Sequence, residues 1–224
     1  MALTDNYIED FESLKLGKNL NIGNYNRIGK NVSIGDNVKI GHNCIIDDEV
    51  NIGDYSIIKD YVVLKENIKI GQNITIGEFT IIRGKSTIGS GTKVDTHNKI
   101  GFNVSVGQNC KFTSYCEIRD NCRIGNNVKM GSRCTISAGI TIEDNVNIKY
   151  SFVFTDTPDL SKENEKVYGL IKENAKFGAN VTIMPGIVIG KNAEIGACSQ
   201  VRHNVPDSEV WYGNPAKYFK KKLK

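Results

Sequence analysis

The most constraining feature of this sequence is a repeat of six residues that runs through most of its length. Every sixth position from Leu16 to Phe154 is apolar, and the same phase resumes at Phe177 and continues to Val201. Glycine often follows the apolar position, and the fifth hexad position is usually small or β-branched. This period fits neither an α-helix nor an isolated strand. It predicts a triangular coil with three short strands per turn, whose turns stack at the strand spacing of roughly 4.8 Å.

The composition agrees with a globular protein that has an aliphatic core. Charged residues make up 24%, hydrophobic residues 39% and aromatic residues 8% of the 224 residues. No apolar run approaches the roughly 20 residues that cross a bilayer, and the first residues show no secretory signal. We therefore expect a cytoplasmic protein without a membrane span. The net charge of +4 is modest, with lysines clustered at the tail, so we expect no binding of nucleic acid.

The repeat divides the chain into five segments. We predict an N-terminal cap at 1–15, β-helix coils at 16–159, an extended loop at 160–176, the final coils at 177–206, and a C-terminal extension at 207–224 that ends in a short basic α-helix. The loop interrupts the repeat at one corner. It is interpreted either as a lid over a ligand groove or as a solvent-exposed loop that covers no ligand. The predicted fold class is all-β, a parallel β-helix of hexapeptide repeats with a short C-terminal α-helix.

The cysteines and histidines are the first candidates for chemistry. Five cysteines take the small inward position and are interpreted as buried hydrophobic residues, whereas Cys198 lies one place earlier and is expected to be more exposed. His97 falls near a corner and points outward, so it is either a general base or an ordinary polar residue. His42 and His203 are interpreted as surface residues. The five inward cysteines are Cys44, Cys110, Cys116, Cys122 and Cys134.

The C-terminal third carries more specific motifs. The stretch GANVTIMPGIVIGKNAEIGA places Ala179 and Ala197 in one column of the stack, and YGNPAK follows. Tiny side chains along one edge let an extended ligand, such as the pantetheine arm of coenzyme A, approach the backbone. Together with FVFTDTP before the loop, these motifs resemble the hexapeptide-repeat acetyltransferases, and in particular the 3-N-acetyltransferases of nucleotide-linked amino sugars. The resemblance covers roughly residues 110–217.

The resemblance implies a left-handed β-helix, a homotrimer and acetyl-CoA in the groove between neighbouring helices. Backbone atoms around Gly139, Ala179 and Ala197 would line that groove. Lys217 and Lys220 would meet the phosphates of the coenzyme, with a solvated tail as the alternative. The γ-class carbonic anhydrases share the fold and bind metal through histidines, including a pair five residues apart. No such pair occurs in this sequence, so we expect no metal.

The leading hypothesis is N-acetylation of a nucleotide-linked amino sugar, with the amine attacking the thioester and backbone N–H groups stabilising the oxyanion. His97 is the candidate base, and Asp156 is the candidate for orienting the amine. The sequence departs from the family pattern because Tyr115 stands where the closest relatives carry histidine, one coil above His97. Three alternatives stay open: transfer to a well-positioned neutral amine without a protein base, O-acetylation of a sugar or small alcohol with His97 as the base, and a non-catalytic structural β-helix.

Overall fold

Each hexad of the sequence forms one short strand, and successive strands belong to three sheets in turn, which we name A, B and C. The computed structural model describes residues 3, 5–162 and 166–222. A strand pairs in parallel with the strand one full turn later, as Lys99 pairs with Glu117. The predicted parallel β-helix is therefore confirmed for the described residues.

The bounds of the strands follow the repeat in all three sheets. Sheet A contains Tyr7–Ile8, Arg27–Ile28, Ile45–Ile46, Val63–Leu64, Ile81–Ile82, Lys99–Ile100, Glu117–Ile118, Thr135–Ile136, Val153–Phe154, Thr182–Ile183 and Gln200–Val201. Sheet B contains Lys15–Leu16, Ser33–Ile34, Asn51–Ile52, Lys69–Ile70, Thr87–Ile88, Ser105–Val106, Arg123–Ile124, Thr141–Ile142, Leu170–Ile171 and Val188–Ile189. Sheet C contains Asn21–Ile22, Lys39–Ile40, Ile57–Ile58, Thr75–Ile76, Lys93–Val94, Lys111–Phe112, Lys129–Met130, Asn147–Ile148, Lys176–Phe177, Glu194–Ile195, Glu209–Tyr212 and Lys217–Lys221.

The corners between strands explain why the hexad contains glycine and asparagine. Asn37 has a φ of 57°, in the left-handed region that asparagine tolerates better than most residues. Gly35 is needed for space, because a Cβ at this position would stand 2.8 Å from the backbone nitrogen of Asp54 in the next coil. Asp54 accepts a hydrogen bond from the N–H of Asp36 at 2.8 Å. Glycine therefore permits the close stacking of coils, while asparagine makes the turn.

The interior is a continuous column of aliphatic side chains, in which residues such as Ile46, Val50 and Leu64 are fully buried. The five inward cysteines are buried and Cys198 is exposed, as predicted. Among the described residues there is no helix with the length and apolar character to cross a membrane.

The predicted C-terminal α-helix is wrong. Glu209–Tyr212 and Lys217–Lys221 form an antiparallel hairpin at the end of sheet C, where Trp211 pairs with Ile195. The last strand of a sheet presents unpaired N–H and C=O groups, and pairing them outweighs the helix propensity of the lysines. Residues 223–224 of the predicted extension lie outside the described residues.

The coil resumes earlier after the insertion than the sequence predicted. Leu170–Ile171 is a strand of sheet B within the segment 160–176, and it pairs with Thr141–Ile142. Ile171 lies one hexad before Phe177, in the same phase. The insertion therefore joins a strand of sheet A to the next strand of sheet B. Residues 163–165 of the predicted loop, like residues 1, 2 and 4 of the predicted cap, lie outside the described residues.

Candidate active site

Three of the predicted site residues lie on one edge of the β-helix, where the chain turns from sheet C to sheet A. We call this the C–A edge. His97 lies between a strand of sheet C and a strand of sheet A. Ala179 and Ala197 lie at the same corner, one position earlier in the hexad, four and five strands further along sheet A. Four strand spacings amount to roughly 19 Å along the axis.

The upper part of the C–A edge carries alanine at two successive turns. Ala179 is half-buried and Ala197 is exposed. A Cβ at Gly178 would stand 2.7 Å from the Cα of Ala197, and one at Gly196 would stand 2.7 Å from the Cβ of Tyr212. Glycine therefore lets the next coil stack closely at both turns, and Ala179 and Ala197 add only a methyl group beside the backbone. One turn below Ala179 stands Tyr150, whose side chain is exposed.

The YGNPAK motif forms a turn that closes the top of the same edge. The N–H of Gly213 donates to the hydroxyl of Ser199 at 3.0 Å, and the N–H of Gln200 donates to the carbonyl of Gly213 at 3.0 Å. The N–H of Ala216 donates to the carbonyl of Gln200 at 2.8 Å. Three hydrogen bonds thus hold the GNPA turn against Ser199 and Gln200, which follow the IGA step in the sequence.

The ring of His97 is held in a column of stacked aromatic side chains on the C–A edge. Its centroid lies 4.8 Å from that of Phe79 below and 4.8 Å from that of Tyr115 above. Tyr61 stacks on Phe79 at 5.0 Å and extends the column downward. The rings cover each other's faces and leave their edges in solvent. The neighbours therefore fix the plane of the imidazole while leaving a ring nitrogen accessible.

Thr96 defines which nitrogen of His97 faces solvent without a hydrogen. The Thr96 hydroxyl donates to the carbonyl of Glu78 at 2.8 Å and lies 2.7 Å from Nδ1 of His97. A hydroxyl has one hydrogen, so it accepts from Nδ1–H in this arrangement. The neutral ring then has its lone pair on Nε2, where a general base needs it. Sequence reasoning missed Thr96, because threonine beside a corner histidine has no distinctive pattern.

Asp156 lies on a different edge, where the chain leaves sheet A and the insertion begins. Its carboxylate lies 3.2 Å from Nζ of Lys166 and accepts a hydrogen bond from the Thr157 hydroxyl at 3.1 Å. The N–H of Val167 donates to the carbonyl of Asp156 at 2.9 Å. These contacts tie the two ends of the insertion together. His97 and Asp156 stand at opposite edges of sheet A, so one chain does not bring them together.

Gly139 also lies on this second edge, between sheets A and B, and the insertion packs against it. It has a φ of 73°, and a Cβ there would collide with the ring of Tyr168. Gly186, at a later corner of the same edge, has a φ of 72°, and a Cβ there would stand 2.6 Å from the side chain of Val167. Two glycines thus provide the space in which the returning arm of the insertion lies.

Lys217 and Lys220 are exposed on the final strand of sheet C. Lys217 pairs with Tyr212, and Lys220 pairs with Val210. Nζ of Lys220 lies 5.7 Å from the centroid of the Phe219 ring. Lys217 therefore lies on the side of the C–A edge, and Lys220 lies farther from that edge along the same strand.

Three of the buried cysteines, Cys44, Cys110 and Cys122, are poorly suited to nucleophilic chemistry. Burial raises the pKa of the Cys44 and Cys122 thiols to about 11, which disfavours the thiolate. Burial also raises the pKa of Cys110. Among the described residues, no group of three His, Cys, Asp or Glu side chains is placed to hold a metal ion.

Comparison with known families identifies the repeat. The bacterial transferase hexapeptide model, which describes six repeats, matches residues 169–203. The model for the hexapeptide repeat of succinyl-transferase matches residues 31–60 and 122–149. These matches fall on coils before and after the insertion, so the family's repeat is present on both sides of it.

The curated relatives include several acetyltransferases, and also a mitochondrial γ carbonic anhydrase of Arabidopsis thaliana that is 40% identical over 23% of this chain and 19% of its own length. A galactoside O-acetyltransferase of Lactococcus lactis is 48% identical over 26% of this chain and 30% of its own length. A dTDP-3-amino-3,6-dideoxy-α-D-galactopyranose 3-N-acetyltransferase of Aneurinibacillus thermoaerophilus is 44% identical over 21% of this chain and 25% of its own length. The chain thus spans less than a third of the length of each of these relatives.

A solved structure shares the fold. It is an N-acyltransferase of Bacillus cereus, crystallised as a point mutant with dTDP-4-amino-4,6-dideoxyglucose and coenzyme A. It superimposes with a TM-score of 0.55 at 19% identity, over 62% of this chain and 84% of that protein.

Proposed function

Because the chain carries the hexapeptide repeat of bacterial transferases, we propose that it is an acetyl-CoA-dependent N-acetyltransferase acting on an amino group of a nucleotide-linked amino sugar. One observation carries the proposal: His97, the alanine steps and the GNPA turn lie along one edge of the molecule. The acceptor class rests on the relative from Aneurinibacillus thermoaerophilus, which is named for such a substrate.

In this proposal the pantetheine arm of acetyl-CoA lies along the C–A edge. Ala179 and Ala197 leave room for it against the backbone, and Lys217 and Lys220 lie near its phosphates. The acetyl group must extend well below Ala179 to approach His97, across roughly 19 Å of edge. An extended coenzyme, bound parallel to the axis, fits this geometry.

A homotrimer of left-handed helices completes the proposed groove. In a cyclic trimer each interface is heterologous, so different surfaces of neighbouring chains meet. The C–A edge of one chain can then face the A–B edge of the next. This arrangement allows Gly139 to line the groove and Asp156 of one chain to orient an amine near His97 of its neighbour.

The proposed reaction uses one base, which moves one proton from the amine nitrogen to the leaving thiolate. The amine nitrogen attacks the thioester carbonyl, the C–N bond forms, and the C–S bond breaks as coenzyme A leaves. Nε2 of His97 takes the proton from the nitrogen and returns it to the departing thiolate. Positioning by the groove supplies much of the remaining rate enhancement.

O-acetylation of a sugar is the second candidate function, and one observation favours it. A hydroxyl acceptor needs a base more than a neutral amine does, and Thr96 orients His97 as such a base. The relative from Lactococcus lactis is a galactoside O-acetyltransferase.

The experiment is incubation of the full chain with acetyl-CoA and a panel of dTDP- and UDP-linked amino sugars, with the matching hydroxy sugars as controls. Loss of thioester absorbance and mass spectrometry of the products measure transfer. These readouts avoid thiol reagents, which would also react with the exposed Cys198. A His97→Gln variant should lower kcat by about 10²- to 10⁴-fold.

Transfer to an amino sugar supports the proposal, and transfer to hydroxy sugars alone supports the second function. No transfer to either class, together with no binding of coenzyme A by calorimetry, contradicts both. An unchanged kcat in His97→Gln removes His97 from the proposed mechanism while leaving the transferase activity in place.

A further inference from the structure

Three lysines stand directly above one another on the outer face of sheet C. Lys93 pairs in register with Lys111, and Lys111 pairs in register with Lys129. All three side chains are exposed. We call this set the lysine row. Neighbouring lysines of the row are one strand spacing apart, roughly 4.8 Å.

The lysine row differs from the charge pattern of the other strands. In sheet A, Lys99 pairs with Glu117, and their charged atoms lie 3.2 Å apart. Beyond the lysine row in sheet C itself, Lys176 pairs with Glu194 at 3.7 Å. No other register pair between the described strands joins two like charges, and no described carboxylate forms an ion pair with the lysine row. Like charges at opposite positions destabilise a sheet. A row that costs stability and has no internal counter-charge is suited to binding an anion.

A surface depression of about 310 Å³ lies beside the lower part of the row. Lys59, Lys93 and Lys111 line it together with the carboxylates of Glu78 and Asp95. Each strand of sheet C runs toward the C–A edge, so Asp95 lies between Lys93 and His97 along the coil. Lys93 and Lys111 therefore lie on the strands, whereas Glu78 and Asp95 lie closer to the edge that carries His97. Lys59 stands in the same column as Asp95, two turns below it.

We infer that this depression is the subsite for the diphosphate of the acceptor, with the lysines binding the phosphates and the amino sugar directed toward the carboxylates and His97. The inference rests on the proposed function and adds the location and orientation of the acceptor. A nucleotide-linked amino sugar carries two negative phosphates at one end and a cationic ammonium group at the other. The phosphates match the lysines on the strands, and the ammonium group matches the carboxylates of Glu78 and Asp95. Two adjacent phosphates can also contact two lysines on adjacent strands.

The test measures binding separately from catalysis. Calorimetry with dTDP, UDP and inorganic pyrophosphate, in the absence of acetyl-CoA, compares wild type with the double variant Lys93→Gln/Lys111→Gln. We expect at least about a tenfold loss of affinity in the double variant, and weaker binding to wild type as ionic strength rises. In turnover, KM for the amino-sugar nucleotide should rise while KM for acetyl-CoA and kcat change little.

Lys69→Gln is the matched control, because Lys69 is an exposed strand lysine on sheet B, between Asn51 and Thr87. It should bind all three probes as wild type does. Thermal melting checks folding, and removal of like charges should not lower the Tm of the double variant.

Equal affinities in wild type and the double variant, or no binding of any probe to wild type, overturn the inference. If wild type acetylates an amino-sugar nucleotide with a KM that the double variant leaves unchanged, the subsite is wrong and the proposed function stands. If binding depends on the lysines but no acceptor is acetylated, the lysines form a diphosphate-binding site, and both the proposed function and its assignment to an acceptor fail.

Discussion

The hydroxyl oxygen of Thr96 lies 2.7 Å from Nδ1 of His97, and its own hydrogen is directed to the carbonyl of Glu78. That carbonyl also accepts the backbone N–H of His97 at 2.9 Å. One turn of backbone thus positions both the main chain and the ring of the candidate base. Thr96 acts as a positioning residue, since its hydroxyl reaches the reaction only through His97.

Thr96→Val should lower kcat for acetyl transfer by about fivefold to tenfold, with KM values unchanged. The change removes one hydrogen bond, of about 1 kcal/mol, that holds the ring in its reactive tautomer. The Glu78 carbonyl keeps its bond from the His97 N–H, so the fold should be retained. Steady-state kinetics over a range of pH measures the effect. Thr96→Ser should restore kcat, and an equal loss in both variants would contradict the positioning role.

Gly139→Ala should displace the returning arm of the insertion. A methyl group there would collide with the ring of Tyr168, and alanine at a left-handed φ costs about 1–2 kcal/mol. The expected result is faster cleavage of the insertion in limited proteolysis, together with a lower Tm.

The variant Gly91→Ala separates the collision with Tyr168 from the cost of placing alanine at a left-handed φ. Gly91 has a φ of 74°, close to that of Gly139, but a Cβ there meets only the amide oxygen of Asn109, at the end of a movable side chain. Gly91→Ala should lose a similar amount of stability from alanine at a left-handed φ, and it should leave the cleavage rate of the insertion unchanged. If both variants expose the insertion equally, packing against Tyr168 is not what holds it.

The hexad pattern was sufficient to predict the strands, because each inward residue has one stacking partner above and one below. It was insufficient where pairing depends on a distant element. Lys217–Lys221 has good helix-forming residues, yet it pairs with Glu209–Tyr212 at the end of sheet C. The position of Leu170–Ile171 was available from the sequence, because Ile171 and Ala175 keep the phase of Phe177 when it is extended backward.

The candidate site was predictable only in part, for a similar reason. Alignment of Ala179 with Ala197 follows from counting hexads. The contact between Thr96 and His97 depends on rotamers, which the repeat does not specify. The assignment of Gly139 and Ala179 to different edges requires the strand order, since the insertion hides how many corners separate them.

Cys198 should be the one cysteine that reacts rapidly with a thiol reagent in the native protein. It is exposed next to Ala197, and its N–H donates to the carbonyl of Ala179 at 2.8 Å. Acetyl-CoA at ten times its Kd should slow labelling by about tenfold, because bound coenzyme covers this part of the C–A edge. Labelling rates with and without acetyl-CoA measure the effect. Cys198→Ser should abolish the fast phase. An unprotected Cys198 in the presence of saturating coenzyme would argue against the proposed path of the pantetheine arm.

The C-terminal hairpin should lose an electrostatic contribution to its stability at acid pH. Nζ of Lys222 donates to the carboxylate of Glu194 at 2.8 Å, and this hydrogen bond holds the pKa of Glu194 below its ordinary value of 4.5. A lowered folded-state pKa means that the stabilisation is present above 4.5 and is lost as pH falls through the folded-state value. Glu194→Gln should therefore be less stable than wild type at about pH 7, and the difference should be smaller at about pH 3. The fluorescence of Trp211, the single tryptophan, follows urea unfolding of the hairpin at both pH values. Lys222→Gln should reproduce the loss at neutral pH, whereas a wild-type advantage that persists undiminished at low pH would show that the carboxylate does not stabilise the hairpin.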